Sequence, residues 1–302
     1  MIAIFLTMLF LYIHIQHHLK KSDSMEVFDI TVYSKDELEE VCNLRQPAVI
    51  QIAQDNFSCN VDLFDITKKY CSKTGSVHAK TPTNDNAELN ISDTTTISGY
   101  YLKNNPGILS NHVDVEKSMA FIKPYMNVKS YMDCLIGGND IITPLQQYLA
   151  NRTYYSVCSG SLVLRLAPPK YTEKLSPKYD YSTLEFTSDV CAWDIDKNSD
   201  IDFLEITLNA GETLYVPPYW WCSAKLQDNC AAIICNFHTF MSTISILPTL
   251  GMYVLQHHNQ IYKLAKRKDV TVVTSNKKST KPNKNKSALK KTSKKVVISS
   301  DS

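Results

Sequence analysis

The chain opens on an apolar run, Met1 to Ile15 (MIAIFLTMLFLYIHI), broken only by Thr7 and His14 and followed at once by Gln16, His17, His18, Lys20 and Lys21. No basic residue precedes the run and no small-residue cleavage site follows it, so the marks of a cleaved signal peptide are missing. A core helix would carry a polar face, which this run lacks. It predicts a membrane anchor over residues 1–19, although the apolar run is shorter than the roughly 20 residues that cross a bilayer upright, so flanking side chains would have to snorkel. Because the charges follow the segment, the positive-inside rule places the N-terminus outside and the main domain in the cytoplasm.

Farther on, the pattern changes to strict alternation. In Tyr155 to Leu166 (YSVCSGSLVLRL), Leu162, Leu164 and Leu166 share one face, and 203–208, 213–216 and 230–237 are further β-rich runs bounded by Gly, Pro or polar residues. Short strands separated by turn signals predict an all-β sandwich or barrel over 22–250. A polar stretch from Ser72 to Ser98 reads as a long surface loop within it. From Thr249 to Ala265, Met252, Leu255, Tyr262 and Ala265 form a helical stripe. We expect a C-terminal helix over 251–265 that packs on the β domain or on a second copy in a homodimer. The Lys-rich remainder, 266–302, is predicted to be disordered.

Composition sharpens this division. The chain has 302 residues, 44% of them hydrophobic and 17 of them Tyr, enough for a packed domain. The net charge of +2 conceals a tail with 12 Lys/Arg against Asp269 and Asp301, and therefore an acidic remainder. The tail lacks aromatic stacking platforms for single-stranded nucleic acid. It could serve solubility, contact nucleic-acid phosphates without sequence preference, or lie against an anionic cytoplasmic leaflet. Nine cysteines without a C-x-x-C pair fit neither a disulfide framework nor a zinc ribbon and point to a reducing compartment. The sequons at Asn56, Asn90, Asn151 and Asn285 are read as chance in an Asn-, Ser- and Thr-rich chain. P-loop, dinucleotide, serine-hydrolase and zincin motifs are all missing. Asp194 and Asp196 are read as a solvated loop.

The most specific string is Leu208 to Cys222 (LNAGETLYVPPYWWC). A tight turn at Asn209-Ala210-Gly211-Glu212 leads into a short strand that Pro217-Pro218 ends, and Tyr219-Trp220-Trp221 should lay an aromatic surface on the fold. With Gly211, Pro217, Trp220 and Trp221 in place, the string resembles the "L-x-x-G-D-x-L-y-i-P-x-x-W-W-H" stretch of the cupin-like JmjC family, of the factor-inhibiting-HIF type. Upstream, Gln46 to Ile50, Tyr100-Tyr101-Leu102, Ile136-Gly137-Gly138, Thr143-Pro144-Leu145 and Ser159-Gly160 through Pro169 resemble further family segments in the family's order. The resemblance spans about residues 26–240 and implies a mainly β double-stranded β-helix, a jelly-roll or cupin barrel with flanking helices.

The family uses His-x-Asp and a distant His to hold Fe(II), leaving positions open for 2-oxoglutarate and oxygen. The matching positions here are Gln146, Tyr148 and Cys222, and none keeps the family's residue type. Gln offers a neutral amide, Tyr a phenol with a pKa of about 10, and Cys a soft donor suited to zinc or iron–sulfur chemistry. The lysine that pairs with 2-oxoglutarate corresponds to Leu162, although Thr143 is retained. These replacements imply no Fe(II) or 2-oxoglutarate and no catalytic residues: a membrane-anchored binding or scaffolding module with an unknown protein partner. The competing readings are a divergent 2-oxoglutarate oxygenase and a metal site reorganised around Cys222, drawing on Cys230, Cys235 and His238. Alternate positions in a buried strand are ordinary places for Cys, so core packing is the preferred reading of these cysteines, and a core or rim position that of His238.

Overall fold

The computed structural model describes residues 1–52, 77–80, 86–89, 101–102, 120–181, 184–194 and 200–262. The predicted tail over 266–302 lies outside these residues, as do Cys59, Cys71, Asp196 and the sequons at Asn56, Asn90 and Asn285. Four α-helices are described, α1 (Ile2–Leu19), α2 (Lys35–Asn43), α3 (Phe240–Ser245) and α4 (Leu247–Tyr262), with one 3-10 turn at Pro169–Tyr171. Fourteen strands join in one mixed sheet: β1 (Phe28–Val32), β2 (Ala48–Ile52), β3 (Val77–Lys80), β4 (Asn86–Leu89), β5 (Tyr101–Leu102), β6 (Asn127–Gly137) and β7 (Ile141–Ile142) come first. They are followed by β8 (Gln146–Gln147), β9 (Arg152–Ala167), β10 (Pro177–Asp180), β11 (Glu185–Ser188), β12 (Leu204–Asn209), β13 (Thr213–Val216) and β14 (Trp221–Thr239). The stretch expected to be a polar loop thus contains β3 and β4, which pair as a hairpin and extend the sheet.

Two long strands organise everything else. β9 and β14 run antiparallel along almost their whole length, from Trp221 opposite Ala167 to Phe237 opposite Arg152. Midway both strands are irregular: the register slips between Gln227 and Ala231 and again before Ala232. Asp228 and Asn229 adopt left-handed backbone conformations there, facing Gly160 at φ 71°. The slip divides the sheet into two parts. Residues 152–159 of β9 and 231–239 of β14 lie between β13 on one side and β6 on the other, whereas 161–167 and 221–227 lie between β12 and the short strands β7 and β8. Among the described residues the pairing path is open and does not close into a ring.

Bulges of this kind re-aim side chains as well as bend strands. On the C-terminal side of Gly160, Leu162, Leu164 and Leu166 point into a buried cluster; on the N-terminal side the parity flips, and Tyr155 and Val157 join that same cluster. Cys222, Ala224, Leu226, Ala232 and Ile234 from β14 and Leu214 and Val216 from β13 are among its other members. Tyr154 and Tyr215 turn the other way, into a second cluster roofed by Leu38 and Cys42 of α2. The helix is started by a capping box, in which the Ser34 hydroxyl accepts from the Glu37 N–H and the Glu37 carboxylate accepts from Ser34 N–H. Glu39 then grips Arg152 at the start of β9 through two hydrogen bonds.

α1 runs for 18 residues with no buried side chain, and its C-terminal end is fastened to the domain. Arg45 donates to the carbonyls of His18 and Lys20, placing a cation where the helix dipole is negative. α4 begins earlier than expected, and of the two packings expected for its stripe, burial on the β domain does not occur. Met252 and Leu255 are exposed, and Gln256 hydrogen-bonds the domain, accepting from Tyr181 N–H and donating to Asp180. The thiol expectation needs one correction: six described cysteines are free, but Cys158 is disulfide-bonded.

A Cβ at Gly160 would sit 2.8 Å from the carbonyl oxygens of Gln227 and Asp228 and from the Cα of Cys230, all backbone atoms. Gly160→Ala should therefore cost about 3 kcal/mol or more in urea unfolding, adding overpacking to backbone strain. Gly211→Ala, also at positive φ but with open space around it, should cost only about 1–2 kcal/mol. Equal losses at the two sites would remove the bulge from its central place in the fold.

Candidate functional site

The turn predicted at Asn209 to Glu212 forms as expected and docks on β9. Glu212 N–H donates to Asn209 carbonyl, Gly211 N–H to Val157 carbonyl at 2.8 Å, and Val157 N–H to Glu212 carbonyl at 3.1 Å. Gly211 sits at φ 94°, a conformation that its lack of a Cβ makes inexpensive. After Pro217-Pro218 the aromatic trio does not form one surface, because alternation along the chain sends neighbours to opposite faces. Trp220 enters the cluster that holds Leu162 and Cys222, whereas Trp221 packs with Leu145, Tyr171 and Leu175 and donates to the Thr172 hydroxyl. The buried Trp220 indole N–H has no acceptor among the described residues. Tyr219 braces the neighbouring segment: its N–H donates to Tyr148 carbonyl, and its own carbonyl accepts from the Gln147 amide at 2.7 Å.

That bracing brings Gln146, Tyr148 and Cys222 to one place. Gln146 and Cys222 are direct partners across the β8–β14 pairing, and both are buried. The Tyr148 hydroxyl lies 2.7 Å from the hydroxyl of Tyr155, which also bonds the Cys222 thiol. Tyr155 is thus the hub of the site, although the sequence pattern had not singled it out. Burial pushes its phenol well above the usual range, and the adjoining Cys222 and Tyr148 add to the shift. It stays a neutral hydrogen-bonding group.

The remaining expected positions play supporting parts. Leu162, fully buried, is paired with Leu208 on one side and Leu226 on the other, inside the same apolar cluster. Thr143 latches the sheet: its hydroxyl oxygen accepts from Ala224 N–H at 2.9 Å, and its carbonyl accepts from the Ser223 hydroxyl at 2.7 Å. Asp140, the nearest carboxylate in sequence, is at the surface and pairs with Lys225. Asp194 is likewise exposed.

Cys222, Cys230, Cys235 and His238 are not brought together. They are strung along β14 at about 3.3 Å per residue, and Cys235 faces the α2 side of the sheet while Cys222 and Cys230 face the other. Burial pushes the Cys230 thiol up to about 12 and the Cys235 thiol higher still, so neither is disposed to ionise. His238 stacks on Tyr131, and burial with Lys129 opposite lowers its pKa to about 4. Among the described residues, no three His, Cys, Asp or Glu side chains converge as a metal site.

A sequence profile described as a cupin-like domain matches residues 83–243, just over half of the chain. The chain belongs to the cupin-like domain family. No curated protein matches it by sequence. The bent pair of long strands in this cupin-like domain is the frame on which Gln146, Tyr148, Tyr155 and Cys222 meet. Hydrogen bonds within such a buried group couple its members. In a double-mutant cycle of Tyr148→Phe and Tyr155→Phe, unfolding free energies should deviate from additivity by about 1 kcal/mol. Strict additivity would show that the two phenols act independently.

Proposed function

We propose that this chain is a membrane-tethered cupin-like domain that binds or scaffolds a partner instead of performing Fe(II)/2-oxoglutarate chemistry. The observation that carries the reading concerns the three positions matched to the iron ligands: Tyr148 and Cys222 both hydrogen-bond the buried Tyr155, and Gln146 is the cross-strand partner of Cys222. An Fe(II) oxygenase site needs imidazole and carboxylate donors with open coordination positions. This set offers an amide, two phenols and a thiol, one phenol held firmly neutral by burial, and it does not fit that ion. Nor does Leu162, enclosed by Leu208 and Leu226, offer a charge-assisted bond to a dicarboxylate.

The tether reading rests on α1. Its 18 residues extend about 27 Å, close to the roughly 30 Å of a hydrocarbon core, with mean hydropathy 1.5 and no buried residue. Lys20 and Lys21 at its end favour the cytoplasmic side for the domain. The disulfide at Cys158 argues for an oxidising compartment; the six free thiols weigh with the lysines, and we retain the cytoplasmic orientation. The basic tail would add contact with anionic headgroups.

Metal analysis of the full chain, purified in detergent without chelator, tests the reading of the site. Iron and zinc should both be far below one per chain, and Cys222→Ala should leave them unchanged. Stoichiometric metal that disappears in Cys222→Ala would replace the proposal with a metal site reorganised around that thiol.

A further inference from the structure

α4 leaves most of its apolar side chains outside, unlike a surface helix of a soluble domain, which buries its apolar stripe. Its half-buried positions are Thr249, Leu250, Tyr253, Gln256 and Asn259, with Gln256 hydrogen-bonded to Tyr181 and Asp180. Its outward positions include Leu247, Met252, Val254 and Leu255, the last 66% exposed, and Phe240 of α3 is exposed just before them. From Asn229 to Tyr262 the sequence contains no Asp, Glu, Lys or Arg.

Three further observations bear on what covers this face. α3, which leads directly into α4, packs against α1, so the apolar face is continuous in the fold with the candidate anchor. α1 is likewise free of Asp, Glu, Lys and Arg from Met1 to Leu19. Both charge-free helices also end at cations: Lys20 and Lys21 after α1, and Lys263, Lys266, Arg267 and Lys268 after α4. An apolar helix closed by lysines is the pattern of an element seated at the headgroup boundary, with its basic end drawn to anionic lipid.

We infer that α3 and α4 form a second membrane-contacting element, which lays Phe240, Leu247, Met252, Val254 and Leu255 into the leaflet that α1 enters. The inference rests on the tether reading of α1 and adds an orientation to it. Two contacts, one end-on and one lying flat, hold the domain at a fixed tilt above the lipid, where α1 alone would leave it free to rotate. The Arg45 clasp on the end of α1 transmits that tilt to the sheet.

The test places a benzoylphenylalanine photo-crosslinker, one site at a time, at Leu9, Leu247, Leu255 and Asn139 of the full chain. Asn139 is exposed in the turn after β6, at the opposite end of that strand from α3. Each protein is reconstituted into phosphatidylcholine vesicles containing a minority of phosphatidylserine and illuminated, and lipid adducts are quantified by mass spectrometry. Adducts at Leu9, Leu247 and Leu255 should all exceed those at Asn139 by about tenfold. Lipid adducts at Leu9 with background at Leu247 and Leu255 would overturn the inference and leave the tether standing. Chain-to-chain adducts at Leu255 would overturn it in favour of a second copy on this face. Background at all four sites would sink the tether reading together with the inference.

Discussion

The antiparallel pairing of β9 with β14, and the bulge that interrupts it at Gly160, is the constraint on which the rest of this structure depends. Each strand serves two parts of the sheet, so a single pair of segments positions β13 and β6 in one part and β12, β7 and β8 in the other. The second slip decides which side chains turn inward: between the pairs Ser159 with Ala231 and Val157 with Ala232, β9 carries one extra residue, Cys158, and one extra residue reverses the two-residue period of a strand. Without it, Tyr155 and Leu162 could not belong to the same buried cluster. The close approach of the backbone at Gln227 and Asp228 explains why residue 160, at the first slip, is a glycine.

The site follows from that frame. The cross-strand partnership of Gln146 with Cys222, and the bond from Tyr219 N–H to Tyr148 carbonyl, are backbone consequences of where β8 meets β14; the Gln147 side-chain amide adds a bond to the Tyr219 carbonyl. What stands there is two phenols and a thiol that bond one another, with a neutral amide across the strand pair from the thiol, surrounded by leucines and a buried tryptophan. In an apolar surrounding, mutual hydrogen bonding is what makes buried hydroxyls and a thiol tolerable. The geometry of the fold and the chemistry of the site are thus separable, and it is the second that carries the functional proposal.

Much of this was legible in the chain. The turn at Asn209 to Glu212 and the strand 213–216 were readable because glycine, proline and β-branched residues punctuate them strongly, and the order of family-like segments led to the cupin-like fold. Gln146, Tyr148 and Cys222 were found through that resemblance, and the structure brings them together. Tyr155 was not found, for a physical reason. Extending the alternation of Leu162, Leu164 and Leu166 backwards points Tyr154 inward and Tyr155 out, and only the bulge reverses them. Sequence periodicity marks a slip poorly, although Gly160 between two serines was a hint. The same limit affects α4, whose apolar stripe was legible while the side that it turns inward was not, because a polar residue, Gln256, makes the hydrogen bonds there.

The account stands on the claim that the interior at Gln146, Tyr148, Tyr155 and Cys222 is complete in itself and takes up no metal. Anaerobic thermal unfolding of the full chain in detergent, titrated with Fe(II) in the presence and absence of 2-oxoglutarate, tests this most directly. A ligand that binds only the native state, at a hundred times its Kd, adds about 2.7 kcal/mol, which is several degrees in Tm. The account expects Tm to stay flat across the titration; a saturable rise that requires Cys222 would contradict it.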